Sequence, residues 1–230
     1  MTAGVDTSFD YHSDTPAGKD PDTFSPTLRK HHQLLWSKEL PSGARFDLAP
    51  EPRSYLAHRS SLGIFRLSSD TITTRLRKQA SNVLRDIPDN ELPEYRGYTA
   101  GSALVFPGLT IGRKQTINGA RGFNRKIADR FDLTLECIRR HYRSEEPNPL
   151  TDVLQRYADF FALFEDFSGY VEFFLLQDLV EDDGETIRFF HRFEDFRTPA
   201  VPKNADEYLN YLRLSNDFIT SRNRRIDAQP

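Results

Sequence analysis

Cys137 is the only cysteine, so no disulfide can close within the chain and no cysteine cluster can hold zinc. A lone thiol fits a reducing compartment. Long apolar runs are missing too. The most apolar window, 160 to 179, contains Glu165, Asp166, Glu172 and Asp178, which a membrane-spanning helix would not carry at those depths. The first residues show no basic stretch followed by an apolar one, so no secretory leader is expected. There is no surplus of positive charge: Lys+Arg 31 stand against Asp+Glu 34, a formal net charge of −3. That balance provides no global field for nucleic acid, which is therefore not favoured as a partner. Nor is there a fingerprint of a reaction. GxGxxG, GxxxxGK(S/T), GxSxG and the EF-hand spacing are all absent. These absences lead us to expect a soluble cytoplasmic protein with no membrane partner, no metal site and no identified cofactor.

What is present is enough chain for one well-buried domain, 230 residues. Tryptophan and methionine occur once each, so 18 Phe and 9 Tyr must supply the bulky core. The patterning predicts an α+β fold: a helix-rich single domain with a small, mainly antiparallel sheet. Residues 1–24, rich in Asp, Ser, Thr, Gly and Pro, are expected to form an irregular N-terminal arm. Residues 25–230 would be the globular domain.

Ser25 followed by Pro26 is a helix start, with serine as N-cap and proline in the first turn. That helix should end before Pro41. His31 and His32 are adjacent, about 100° apart on a helix, and cannot chelate one ion together. Short strands are expected at Arg45–Leu48, Tyr55–His58, Gly63–Leu67, Ser102–Phe106 and Thr186–Phe190. Pro107-Gly108 reads as a turn. Asp70 is a candidate cap for a helix from Thr71 to about Ile87, basic at Arg75, Arg77 and Lys78. His58, Ser60, Ser61 and Asp70 hold the ingredients of a Ser-His-Asp set without the elbow that would expose a serine. The aromatic positions from Leu150 to Phe164 follow helix spacing; those from Tyr170 to Leu179 fit helix or strand. Asn204 with Glu207 resembles a capping box opening the last helix.

The firmest element lies mid-chain. Ile127, Phe131, Thr134, Leu135, Ile138 and Tyr142 form one apolar stripe at the 3.6 period. Lys126, Asp129, Asp132, Glu136, Arg139, Arg140 and Arg143 are expected toward water. Asn124 is a candidate N-cap, and Asp132 could instead cap a second segment after a kink near Arg130. Just ahead, Asn118-Gly119 signals a turn, because both residues tolerate positive φ. Gly122 permits close approach, and Arg121 and Arg125 add bidentate donors. A turn delivering backbone N–H groups to a helix start binds anions. Asn118, Gly119, Arg121, Gly122 and Arg125 are therefore the candidate ligand-binding residues. The ligand class would be a nucleotide or another anionic small molecule, or the nucleic-acid backbone. Were there hydrolytic or phosphoryl-transfer chemistry, Asp129 or Asp132 would act as base or hold Mg²⁺. The bland reading is a structural turn with solvated arginines. The alternative function is a non-catalytic protein–protein interaction module using the aromatic C-terminal half or the arm. Cys137, on the flank of the stripe, reads as a packed small apolar residue.

Three runs carry a resemblance: GKDPDTFSPTLRKHHQLLWSKELPSG from Gly18, TINGARGFNRKIADRFDLTLECIRRHY from Thr116, and YADFFALFEDFSGYVEFFLLQDLV from Tyr157. Together they resemble a family of bacterial proteins of unknown function, over nearly the whole chain. The resemblance implies a full-length single domain and a bacterial intracellular setting. It brings no activity, substrate or catalytic residue.

Overall fold

Ser25 does cap the first long helix. In a computed structural model, which describes residues 4–51, 54–72, 76, 80–94 and 97–229, its hydroxyl accepts the Leu28 N–H at 3.0 Å. Helix α2, Pro26–Trp36, buries Leu28, His31, His32, Leu35 and Trp36. It follows a single turn, α1, Pro21–Phe24. The segment expected as an irregular arm also carries a 3-10 turn, Tyr11–Asp14, with Tyr11 buried. Asp14 ties that turn to α2 by accepting from the Ser25 hydroxyl (2.6 Å) and the Thr27 N–H (2.9 Å).

Two antiparallel sheets follow. The small one pairs β1, Lys38–Glu39, with β2, Arg45–Phe46. The larger runs in the order β3 (Ala49–Glu51), β4 (Ser54–Ser60), β5 (Gly63–Thr71), β6 (Ala103–Pro107). Pro107 belongs to β6, opposite Leu67, rather than to a turn. It ends a strand whose five residues are all buried. Strand β5 extends past its expected end, so Asp70 and Thr71 pair with Leu104 and Ala103. Asp70 therefore caps no helix: its Oδ1 accepts the N–H of Thr71, its own neighbour in the strand. A short helix α3, Ser81–Leu84, covers only part of the expected span. Arg75, Arg77 and Lys78 lie outside the described residues. The period of two in β5 matters downstream. Ser69 and Thr71 face α1, where both hydroxyls reach Asp22, and Asp70 faces the other way.

The central stretch breaks into two helices, α4 (Ile117–Phe123) and α5 (Phe131–Arg143). Between them Ala128 and Asp129 adopt φ of 49 and 65, a left-handed pair that turns the connection and re-aims the chain into α5. Asn124 is the C-cap of α4 and does not open α5, whose first residue follows Arg130. The side of α5 expected toward water is largely enclosed: Asp132, Glu136 and Arg140 are buried with the apolar stripe.

Beyond α5 the aromatic run folds inward as α6 (Thr151–Arg156), α7 (Ala158–Ala162) and α8 (Phe167–Phe173), with a 3-10 turn at Gln177–Leu179. Phe164 packs on Phe173 and Phe174 at 5.0 and 5.1 Å between ring centres, and Trp36 meets Phe174 at 5.2 Å. Such tilted and edge-on pairs fill a core without flat stacking. The expected strand Thr186–Phe190 is reduced to one bridge, Val180 to Ile187. The last helix, α9, runs Ala205–Asp227 from an Asn204 cap that accepts the Glu207 N–H at 2.9 Å. No helix among the described residues is long and apolar enough to cross a membrane. The architecture is a single α+β domain, helix-rich with small antiparallel sheets.

Among the described residues three arginines are wholly enclosed: Arg121, Arg130 and Arg222. Buried charge is costly unless its donors are matched. Arg130 Nη2 pairs with Asp132, and its guanidinium donates to the Ala200 carbonyl (2.9 Å) and the His191 carbonyl (3.0 Å). It thereby holds the irregular 190–200 segment against the start of α5.

Candidate functional site

Thr116 decides the local structure of the candidate turn. Its hydroxyl accepts the Gly119 N–H at 3.2 Å and caps α4. Asn118 and Gly119 therefore sit in the first turn of a helix, with negative φ, and not in a free turn. The capping hydroxyl outcompetes the turn tendency of Asn-Gly.

Helix periodicity then separates the two arginines. Arg121 falls four residues after Ile117, on the inner face, and both are buried. Arg121 Nη1 lies 2.7 Å from Asp70 Oδ2 and 2.9 Å from Asp129 Oδ1. Its Nε donates to Thr134 Oγ1 at 3.0 Å and its Nη2 to the Asp129 carbonyl at 2.8 Å. Burial pushes the Asp70 carboxyl up to about 7, and the Arg121 charge draws it back. This fork closes the α4–α5 junction onto β5 and leaves no room for a guest. The expected placement of Arg121 among solvent-facing ligand donors is corrected accordingly. Gly122 is half-buried beside Asp129, and Arg125 is exposed, so the two arginines are not brought together.

The candidate acids fare alike. Asp132 is wholly buried, paired to Arg130 and accepting the Phe190 N–H at 2.9 Å. Asp129 is committed to Arg121. The Asp132 carboxylate has no access to solvent, whereas the Asp129 side chain is 27% exposed. No group of three or more His, Cys, Asp or Glu placed to hold a metal ion occurs among the described residues.

A Ser-His-Asp set does assemble, but from other residues. His32 Nδ1 accepts the Trp36 Nε1–H at 3.0 Å, which makes Nε2–H the donor toward Ser69 Oγ at 2.9 Å. Ser69 then donates to Asp22 Oδ1 at 2.7 Å. The histidine gives a proton to the serine and cannot act as its base. Burial lowers the His32 pKa to about 3 and raises that of Asp22 to about 6. The chain is an interior polar network pinning α1 and α2 to β5. His58, Ser60, Ser61 and Asp70 do not form one: Asp70 is held by Arg121, and His58 Nδ1 lies 3.2 Å from the Asp47 backbone.

The outer face of α4 is open. Phe123, 82% exposed, lines a groove of about 540 Å³ together with Arg113, Lys114, Asp152 and Arg156. Arg156 is fixed there by donating to the Asp152 carbonyl (2.9 Å) and the Gln115 carbonyl (2.8 Å). Gly112 and Arg113, at φ of 60 and 59, bend the chain so that Arg113 and Lys114 reach the same groove. Arg113, Lys114, Arg125 and Lys126 form no ion pair among the described residues. Sequence reading missed this groove. Gly112-Arg113-Lys114 carried a local signal, a basic bend. Arg156 carried none, because it arrives from a helix forty positions away.

A family model described as a family of unknown function (DUF6994) matches residues 5–226 of the chain. Comparison with curated proteins and with solved structures finds no match.

Proposed function

We propose, for a chain that belongs to the DUF6994 family of unknown function, that the groove outside α4 binds a phosphate-bearing ligand. The observation that carries this is the meeting of Arg113, Lys114 and Arg156 with one exposed aromatic ring, Phe123, in one groove. Three cations against the single carboxylate of Asp152 favour an anion. An exposed ring beside them offers a face on which a nucleobase stacks. The anionic ligand expected at the α4 turn is thus retained but moved to the opposite side of the helix. Arg125 stays a candidate contributor; Arg121 belongs to the interior.

The reading is of binding without hydrolysis or phosphoryl transfer, since Asp129 and Asp132 are both engaged by guanidinium groups. Mg²⁺ enters only with such chemistry, and is not part of the proposal. A bacterial cytoplasmic setting is part of it, supported by the single thiol and the resemblance of the sequence. The test is thermal shift and calorimetry with ATP, ADP, inorganic phosphate and a short oligonucleotide. Binding should fall about tenfold in Arg113→Ala/Lys114→Ala. Phe123→Ser should weaken nucleotides and leave inorganic phosphate unchanged. No response to any of the four probes would remove the reading. The aromatic C-terminal half, by contrast, is folded into the core, so an interaction module would need a different surface.

A further inference from the structure

Such a surface adjoins the groove. Among the described residues seven large apolar side chains are exposed, and four of them, Leu62, Ile64, Leu109 and Ile111, wall one concavity of about 200 Å³. Leu62 comes from the β4–β5 turn, Ile64 from the start of β5, and Leu109 and Ile111 from the chain leaving β6. Segments 45 to 49 residues apart thus place aliphatic side chains around one hollow. A fifth exposed apolar side chain, the Phe123 ring, lines the adjoining groove, and Arg156 lines both, so the two hollows form one continuous face. Apolar side chains gathered on one exposed face mark a binding surface, where singly scattered ones would not.

The charge around them selects the occupant. Arg66, Arg113, Lys114 and Arg156 border the two hollows, against the carboxylates of Asp152 and Asp159. This face is basic on a chain whose formal net charge is −3. The partner that complements it is acidic and brings its own apolar anchor. A hollow of this shape accepts one or two inserted side chains, whereas a flat bilayer cannot enter it. Its exposed walls are aliphatic, with Phe65 half-buried and Tyr157 and Phe160 buried beneath them, which favours Leu, Ile or Phe over a nucleobase, since a base stacks on exposed aromatic faces. Strand addition is disfavoured at this end of β6, because Pro107 has no N–H to offer a further strand. Docking is therefore by side chains.

We propose that Leu62, Ile64, Leu109 and Ile111, with Arg66 and Arg156 at their rim, dock an acidic peptide segment of a protein partner through one or two large apolar anchors. This goes beyond the phosphate reading and does not depend on it.

A random twelve-residue display library, selected on the full chain and counter-selected on Leu62→Ser/Ile111→Ser, tests it. Both replaced side chains are largely exposed, so the variant should keep the wild-type melting temperature; Ile64→Lys serves as a second variant if it does not. Enriched peptides should be net acidic and carry Leu, Ile or Phe. A synthetic copy of the best one, followed by fluorescence anisotropy, should lose at least tenfold affinity on Ile111→Ser and weaken with added salt. Enrichment of basic or purely polar peptides, or unchanged affinity in the variants, overturns the proposal. So does preferential binding to phosphatidylserine vesicles. A light-scattering mass of two chains that returns to one in Leu62→Ser would assign the face to a second copy and overturn it as well.

Discussion

Arg121 Nη1 and Asp70 Oδ2 stand 2.7 Å apart, with the arginine wholly enclosed. They join a helix to a strand 51 positions earlier in the chain. Because Asp129 flanks the same guanidinium, removing the cation strands two carboxylates at once. Arg121→Met should cost about 3–5 kcal/mol in urea unfolding, the usual penalty for leaving a buried charge uncompensated. The double variant Arg121→Met/Asp70→Asn should recover part of that loss. Strict additivity of the two single effects would show that the pair is not coupled.

The α2–β5 network makes stability depend on pH in two opposing ways. Burial raises the Asp22 carboxyl to about 6 from 3.8, so the folded state prefers it protonated. Its contribution is fully present below the unfolded value and is lost as pH rises through about 6. Asp22→Asn, which keeps an acceptor for Ser69 and Thr71, should therefore gain stability relative to the wild type between pH 4 and 7. Urea titrations at pH 4, 5.5 and 7 measure it, and a constant difference would contradict it. His32 works in the other direction. Burial lowers it to about 3 from 6.5, so its contribution is present above 6.5 and erodes as pH falls toward 3. Nitrogen NMR should find Nε2 protonated and Nδ1 bare from pH 7 down to about 5. A doubly protonated ring in that range would refute the network as drawn.

Particular residues show what could be read from the chain alone. Ser25-Pro26 and Asn204 carried capping signals that local chemistry satisfies, so α2 and α9 begin where expected. Of the stripe from Ile127 to Tyr142, the part from Phe131 onward yields α5, because a 3.6 period needs no partner to be recognised, while Ile127 falls in the connection before it. Asn118-Gly119 misled for an equally local reason: the Thr116 hydroxyl competes for the same N–H and turns a bend into a helix. Arg121 misled for a non-local one. An arginine next to glycine reads as solvated unless Asp70, on a distant strand, and Thr134, on the next helix, are known to await it. The groove outside α4 was illegible for that reason too, since Arg156 is delivered by the fold.

Arg222 is a buried cation with no carboxylate among its hydrogen-bond acceptors in the described residues. Its Nη1 donates to the Gly101 and Ala103 carbonyls at 2.8 and 3.0 Å, its Nε and Nη2 to the Phe174 carbonyl at 3.2 and 2.9 Å. The guanidinium lies 5.5 Å from the centre of the Trp36 ring. Burial accordingly brings its pKa down to about 9. A planar fork can span carbonyls on two sides at once, and an ammonium cannot. Arg222→Lys should lose roughly 3 kcal/mol, two or so charge-assisted hydrogen bonds. Gly101 provides an independent check on the same contact. A Cβ there would strike the Ile219 carbonyl and the Asn223 side chain. Gly101→Ala should separate α9 from the 100–102 turn and lower the melting temperature by several degrees. A stable Arg222→Lys would mean that charge alone suffices.

Cys137 closes the α5 face toward the loop after it. The thiol is completely enclosed, and burial with Glu136 beside it drives its pKa well above the ordinary value. Its own carbonyl accepts the Asn148 Nδ2–H at 2.8 Å, which anchors the loop over it. Thiolate is the reactive form, and neither thiolate nor access exists in the fold. A disulfide-exchange reagent should therefore label one thiol per chain at the rate of global unfolding, accelerating with urea in step with loss of tertiary signal. Cys137→Ala should cost about 1–2 kcal/mol through the small void it leaves, while Cys137→Ser should cost more, because its hydroxyl would need a partner the site does not offer. Rapid labelling in the absence of denaturant would show that the α5–loop contact opens on its own, and the Asn148 anchor would then be weaker than its geometry indicates.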